Sequence, residues 1–347
     1  ELPERCVQYC RPSRPGTYIV GPDNLRRWEM KILPGENPQD FMNDSGKVMQ
    51  ALSAFVDTTH LELCRIAVYR FHAVVANDWR FDRVFLLGDS AHQMPPFLGQ
   101  GLCAAIRDAV NLAWKIDGVE RKGYSQRILD TYGQERKKHV RTVVGHAKTF
   151  GLIIGELDEA AARSRDQELK ALLASGKAET VRQKFIPGLE VGALASRQDG
   201  TPALGAGELF VQPWVQQGAE WKRLDDLMPA GFWIATTGAI DPAMWRDLPA
   251  WRQMDGRTVA IHTTSQPHSR HNTDTLQVVE REGLFARWME ERQAAAVLVR
   301  PDHYVYGMAQ TPAELQALIY SAANDLFDYV DADDLVSAVR REIQVSV

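Results

Sequence analysis

The sequence predicts a mixed protein, α/β and α+β, built in two parts, residues 1–187 and 188–347. Three observations predict it. A strand, a turn and a second strand fill residues 17–33. An unbroken apolar run, Val84-Phe85-Leu86-Leu87, closes on Gly88-Asp89 and is followed by helical periodicity. Beyond a loop-rich junction that begins at Pro187-Gly188, strand and helix patterns alternate.

The elements follow in order. Thr17-Tyr18-Ile19-Val20 is β-branched and aromatic, Gly21-Pro22-Asp23-Asn24 is turn chemistry, and Arg26 to Leu33 is a second strand stopped by Pro34-Gly35. Together they read as a hairpin. Val48, Leu52, Phe55 and Val56 fall at helical spacing, and residues 66–76 read as a strand through Ile66, Val68, Phe71, Val74 and Val75. The run from Arg83 to Asp89 has the composition of a strand buried on both faces. Leu102, Ile106, Ala109, Val110, Ala113, Trp114 and Ile116 predict a helix from Leu102 to Gly118. Long helices follow at about Tyr124–Leu157 and Glu159–Leu173. In the second part, a strand is expected at Phe232–Thr237, a helix at Pro242–Gln253, and strands at Thr258–His262 and Leu276–Val279. A helix at Leu284–Arg292, a hairpin of Ala296–Arg300 with Tyr304–Met308, and a helix near Pro312–Tyr329 complete the chain. A βαβ start closed by a hairpin and a helix is the thioredoxin-like order.

Composition narrows the function. Lys and Arg number 40 against 45 Asp and Glu, so the net charge is −5. That balance argues against nucleic acid, whose affinity rests on phosphate neutralisation. The four cysteines, Cys6, Cys10, Cys64 and Cys103, form neither a C-x-x-C pair nor a secreted disulfide pattern, which points to reduced thiols in the cytoplasm. The part after residue 188 has no cysteine and so cannot exchange thiols and disulfides. No apolar run reaches the roughly 18 residues of a membrane span.

The chemistry concentrates between Arg83 and Ile116. A strand that ends in Gly88-Asp89 places a carboxylate at the carboxyl edge of a sheet, where open α/β folds bind ligands. Such a carboxylate accepts hydrogen bonds from polyol hydroxyls. After a loop stiffened by Pro95-Pro96, Gly99-Gln100-Gly101 opens a helix whose free N–H groups favour partial negative charge. A polyol contact followed by an anion-stabilising helix start suits a flavin.

The run Gly88-Asp89-Ser90-Ala91-His92-Gln93-Met94-Pro95-Pro96-Phe97-Leu98-Gly99-Gln100-Gly101-Leu102, with Ile106-Arg107-Asp108-Ala109 and Asn111-Leu112-Ala113-Trp114-Lys115, resembles the second FAD motif of the aromatic-ring flavin monooxygenases. Within that family it is most similar to the 3-(3-hydroxyphenyl)propionate hydroxylase and phenol hydroxylase branch. Val299-Arg300-Pro301-Asp302-His303-Tyr304-Val305-Tyr306-Gly307 resembles the end of that branch's thioredoxin-like carboxy-terminal domain. The resemblance implies FAD as cofactor, NADH or NADPH as reductant, and hydroxylation of a small phenolic or aromatic acid with O2.

By the same resemblance, Asp89 binds the ribityl chain. Leu87, Gly88, Ser90, His92, Gly99 and Gln100 line the cofactor, and the backbone of Gly101, Leu102 and Cys103 faces the flavin pyrimidine edge. Pro96, through its carbonyl, and Arg27 lie at the reacting edge. The family's opening Gly-x-Gly-x-x-Gly is missing, as is an identifiable middle Asp-Gly motif. The chain therefore reads as a remnant of the FAD-binding and substrate-sheet fold followed by a thioredoxin-like domain. Its expected partner is the missing amino-terminal segment or a second copy of the chain. The competing reading is a truncated, non-catalytic association module.

Overall fold

Strand β1 (Val7–Tyr9) pairs antiparallel with β2 (Gly16–Val20), which pairs with β3 (Arg26–Met30) across the expected turn. The computed structural model describes residues 2–177, 187–197, 199–264 and 275–328. They fall into two compact units. The first holds the chain up to Val75, His92–Gly101 and the residues from Thr142 to 177. The second holds Ala76–Ala91, Leu102–Arg141 and the described residues from Pro187 onward.

In the first unit, Tyr18 stands opposite Trp28 with ring centroids 5.0 Å apart. Both lie on the sheet face that receives Phe55. Gly16 is required there, because a Cβ would stand 2.8 Å from the Phe55 ring. Tyr9, Tyr18, Trp28 and Phe55 line a cleft of about 360 Å³ on this face. Side chains alternate along a strand, so Arg27 and Glu29 project from the opposite face. Two short helices follow, α1 (Pro38–Asn43) and α2 (Ser45–Leu52), the second capped by the Asp44 carboxylate. The strand expected over 66–76 is not formed. Only β4 (Val74–Val75) is extended in a ladder, paired with β7 (His92–Gln93). With so little partner, the apolar residues from Ile66 to Phe71 have no ladder to join.

The expected buried strand at 83–89 is likewise corrected. Strand β5 (Arg80–Phe81) and β6 (Val84–Phe85) form an isolated two-residue hairpin, and Val84 is 61% exposed. An apolar run becomes a doubly buried strand only when neighbouring strands and helices cover both faces, and none flank it here among the described residues.

The long helices stand where their periodicity places them: α3 (Gly101–Arg121), α4 (Ile128–Gly155) and α5 (Glu159–Ala174). Asp158 caps α5 by accepting from the Ala161 N–H at 2.8 Å. None of the helices among the described residues is long and apolar enough to cross a membrane.

The second unit is organised on a seven-stranded sheet. A hairpin that the sequence reading missed, β8 (Trp214–Gln217) with β9 (Glu220–Arg223), sits at one edge. The remaining strands are β10 (Trp233–Thr236), β11 (Arg257–His262), β12 (Thr275–Glu280), β13 (Ala296–Val299) and β14 (Val305–Ala309), in the order β14-β13-β10-β11-β12-β8-β9. β10, β11 and β12 run parallel, and β13 and β14 pair antiparallel beside β10. Three helices cover the sheet: α6 (Pro249–Gln253), α7 (Leu284–Glu291) and α8 (Pro312–Leu326). The βαβ unit closed by a hairpin and a helix is thus present. The last helix stops at Leu326, and Tyr329 lies outside the described residues. The helix expected over Pro242–Gln253 is broken into a 3₁₀ turn at Pro242–Trp245 and α6. Pro249 explains the break: it forces Leu248 into an extended conformation and then suits the first helical position.

Both faces of the sheet are buried. Trp233, Val259, Val297 and Val299 pack against Phe210, Phe285 and Trp288 on one side. Ile234, Leu298 and Tyr306 pack against α8 and against Tyr124 and Ile128 on the other. The segment that begins α4 therefore shares one core with the carboxy-terminal sheet.

A fully buried set of charges joins the same elements. Glu135 of α4 accepts a two-pronged pair of hydrogen bonds from Arg300, at 3.1 Å to Oε1 and 2.7 Å to Oε2. Glu135 also accepts from Lys115 Nζ at 2.9 Å, Asn111 Nδ2 at 2.7 Å and the Ala193 N–H at 2.9 Å. Arg300 turns its other edge to Asp302, at 3.0 and 2.7 Å. Burial alone would raise the Glu135 pKa, but the charges of Arg300 and Lys115 hold it well below the ordinary carboxylate range. Burial pulls Lys115 down to about 8, still cationic at neutrality. Gly192 lies against this carboxylate at φ +108°, where a Cβ would stand 2.2 Å from Glu135 Cγ. Gly192→Ala is expected to cost ~2 kcal/mol or more through strain and displacement of Glu135, read as a lower urea midpoint.

Candidate functional site

The residues singled out by the motif fall into both units, and each group has its own local geometry. In the second unit the loop before Gly88 is fastened to α4. Trp79 is buried beside Tyr132, and the Tyr132 hydroxyl donates to the Leu86 carbonyl at 2.8 Å. Leu86 N–H donates to the Trp79 carbonyl at 2.9 Å. The chain then enters a 3₁₀ turn, Gly88–Ser90. Gly88 has φ +57°, and a Cβ there would stand 3.1 Å from that of Ala105, so glycine meets both the backbone and the packing requirement.

The Gly88 N–H donates to Asp108 Oδ2 at 3.1 Å, and the Ser90 hydroxyl donates to the Leu87 carbonyl at 2.7 Å. Asp89, Ser90 and Leu87 are exposed while Gly88 is buried. The Asp89 carboxylate thus projects from a fixed turn rather than from the end of a sheet strand, which corrects the expected edge position. The flanking strands that would have made such an edge are lacking among the described residues.

Leu102 and Cys103 lie in the first turn of α3 and are exposed, Leu102 at 74%. The helix buries polar side chains beside Ala104 and Leu112. Its buried face carries Asp108, Asn111 and Lys115, while Leu102, Ile106, Val110 and Ile116 face outward.

In the first unit, His92 lies in β7 opposite Val75 with its side chain 2% exposed. Pro96–Leu98 form a 3₁₀ turn in which the Pro96 carbonyl accepts from the Gly99 N–H at 2.8 Å. Gly99 is left-handed at φ +61°, Gln100 is buried, and a Cβ on Gly101 would meet open space. Phe97 packs edge-on to Phe71 at 5.3 Å and fills the space left by Gly151.

Arg27 pairs with Glu29 at 3.1 Å on β3, its side chain 67% exposed. Tyr69 completes this group. Partial burial, then the neighbouring Glu29 carboxylate, push its phenol up to about 12, so it stays protonated. Tyr69 was missed in the sequence because it comes from a segment without regular structure. Neither periodicity nor motif spacing marks such a residue.

Residues 17–147 match a family described as the FAD binding domain, and residues 207–324 match the HcaD C-terminal domain. A probable NADH-specific resorcinol 4-hydroxylase of Rhodococcus jostii (strain RHA1) is 32% identical over 315 residues, covering 90% of this chain and 56% of the relative. The chain is a relative of the FAD-dependent aromatic-ring monooxygenases. A second member, a 3-(3-hydroxy-phenyl)propionate/3-hydroxycinnamic acid hydroxylase of Burkholderia cenocepacia (strain HI2424), is 32% identical over 330 residues. It is covered to 59% of its length, against 89% of this monooxygenase relative. The chain therefore spans somewhat more than half the length of the curated proteins it matches. Its fold is that of the flavin-dependent monooxygenase PieE solved with FAD and substrate (TM-score 0.68, 22% identity, 90% of this chain and 60% of that one). It is also that of aklavinone-11 hydroxylase solved with FAD and aklavinone (TM-score 0.65, 20% identity, 90% and 57%).

Proposed function

We propose that this chain supplies the second FAD-binding motif, the substrate sheet and the carboxy-terminal module of an aromatic hydroxylase that uses NADH or NADPH and O2. The observation that carries the reading is the Asp89 carboxylate, left to solvent on a turn whose backbone is fixed by Asp108 and Tyr132. The donor set fits the hydroxylated and pyrimidine portions of FAD. Asp89 would accept from ribityl hydroxyls, and the first N–H groups of α3, at Leu102 and Cys103, would meet the electron-rich pyrimidine edge. FAD, when bound and reduced, supplies the oxygen chemistry. The protein's own part is to bind, orient and exclude water. Pro96 and Arg27 belong at the reacting edge. Arg27 offers an exposed guanidinium to the carboxylate or phenolate of an aromatic acid, and Tyr69 stays neutral beside it.

Nothing in the sequence supplies the pyrophosphate grip of a Gly-x-Gly-x-x-Gly loop after a strand. The outward apolar face of α3 supports a dinucleotide-binding segment that covers Leu102, Ile106 and Val110 and completes the site. The four described cysteines are all unpaired, in keeping with a reducing cytoplasm.

Visible absorption during FAD titration tests the reading, on the chain alone and on the chain co-expressed with a glycine-rich βαβ segment. A stoichiometric yellow complex with NAD(P)H oxidation stimulated by a phenolic acid is expected of the pair. Asp89→Ala is expected to weaken FAD about ten- to one-hundred-fold, the loss of a charged hydrogen-bond acceptor. Unchanged affinity in that variant removes Asp89 from the site. Failure of both preparations to bind FAD leaves the non-catalytic association module as the reading.

A further inference from the structure

Glu135 and Arg136 are consecutive on α4 and both are buried, yet they serve two different neighbours. Glu135 takes the paired hydrogen bonds of Arg300, at the end of β13. Arg136 donates from Nε to Asp108 Oδ1 at 2.9 Å. The other oxygen of that carboxylate, Oδ2, accepts the Gly88 N–H. Asp108 lies on the same helix as Asn111 and Lys115, which bind Glu135. Two sets of charge-assisted hydrogen bonds, one centred on Glu135 and one on Asp108, are therefore joined through the backbones of α3 and α4, and together they link the carboxy-terminal sheet to the turn that carries Asp89. Every side chain in them is at least 95% buried. Bonds of this kind are the strong ones, and the Arg136 guanidinium donates from Nε to Asp108, while its Nη1 and Nη2 are buried without a hydrogen-bond partner.

We propose that Asp108 is a positioning residue, locked by Arg136, that fixes the Gly88–Ser90 turn, and that Glu135 and Arg300 couple this turn to the carboxy-terminal module. That module has no thiol to exchange, so its contribution is mechanical. It stiffens α4 at the point from which the turn is held. The consequence for cofactor binding rests on the reading of Asp89 given above, while the coupling itself does not.

Hydrogen exchange on the chain as it stands tests the coupling without any flavin. The reporter is the Gly88 amide, and the reference is the Val297 amide in the buried strand β13. Asp108→Ala is expected to speed Gly88 exchange about ten- to one-hundred-fold beyond any change at Val297. Asp108→Asn, which keeps the shape but not the charge that holds Arg136, is read in the same way should the alanine variant fail to fold. Arg300→Lys keeps the charge but loses the fork. It is expected to speed Gly88 several-fold more than Val297, although Arg300 touches neither Gly88 nor Asp108.

Equal factors at Gly88 and Val297 in the Asp108 variants would reduce Asp108 to a merely structural role. Equal factors in Arg300→Lys alone would overturn the coupling through Glu135. In the FAD-binding preparation, release of the Gly88 amide should be matched by weaker FAD binding and an altered visible circular dichroism of the flavin. A released amide with unaltered FAD affinity would overturn the cofactor reading of Asp89 and leave the coupling in place.

Discussion

Glu135→Gln is expected to destabilise the protein by about 3–5 kcal/mol, the cost of breaking a buried ion pair from one side. Glutamine keeps the volume and part of the hydrogen bonding, so the loss isolates the charge. Arg300 and Lys115 would then face each other across a neutral amide with no water to screen them, and only Asp302 would remain as a nearby carboxylate among their partners. Removing a buried charge's partner is costly because the remaining charge keeps its desolvation penalty without compensation. Urea unfolding at pH 7 measures the effect, and a loss below about 1 kcal/mol would show that solvent reaches the cluster. Because Glu135, inside the first matched segment, binds Arg300 in the second, the transition should stay single in both proteins. One cooperative unit is being weakened, not two unlinked ones.

The second large effect is an acid dependence that sets in before carboxylates titrate. His139 is buried on α4 one turn after Glu135. Burial, and then the charges of Arg136 and Arg107, lower its pKa to about 3 against the opposing pull of Asp108. An unfolded histidine takes its proton near pH 6.5, whereas the folded one waits until about pH 3. Between these values the unfolded chain binds more protons, so stability falls as pH falls, by up to about 1.4 kcal/mol per pH unit. From pH 6.5 to pH 5 the expected loss from this group is about 2 kcal/mol. Urea midpoints over that interval, compared with a His139→Leu variant, measure it. The variant should be nearly flat where the parent slopes. Equal slopes in the two proteins would place the proton uptake elsewhere.

Both predictions depend on residues whose identity the sequence displays but whose surroundings it hides. The hairpin at 17–33 and the helices α3, α4 and α5 are legible because each carries its own signal: β-branched residues around Gly-Pro-Asp-Asn, or apolar residues every three to four positions. The order of elements from β10 to α8 is legible for the same reason. The failures occur where a local pattern needs a neighbour to become structure. Val84 to Leu87 reads as a buried strand, but burial is a property of what packs against it, and the described chain offers only Arg80-Phe81. Residues 66–71 fail in the same way. β8 and β9 escaped notice because their alternation is interrupted by Gln216-Gln217 and Glu220, polar residues that an exposed edge hairpin tolerates.

By itself the sequence determined the motif chemistry: a Gly-Asp turn, a Pro-Pro loop and a glycine-led helix in the order of the second FAD motif, and a carboxy-terminal part without thiols. It also held Asp108, Asn111 and Lys115 in one quoted motif and Arg300 and Asp302 in another. Only the tertiary structure decided that these two segments meet, because Arg300 and Glu135 are 165 residues apart along the chain and hydrogen bonding leaves no periodic trace in composition. It likewise decided that α3 buries Asp108 and Lys115 and exposes Leu102, Ile106 and Ile116. A buried charge is tolerated only where opposite charges converge on it, and convergence is a fact of three dimensions.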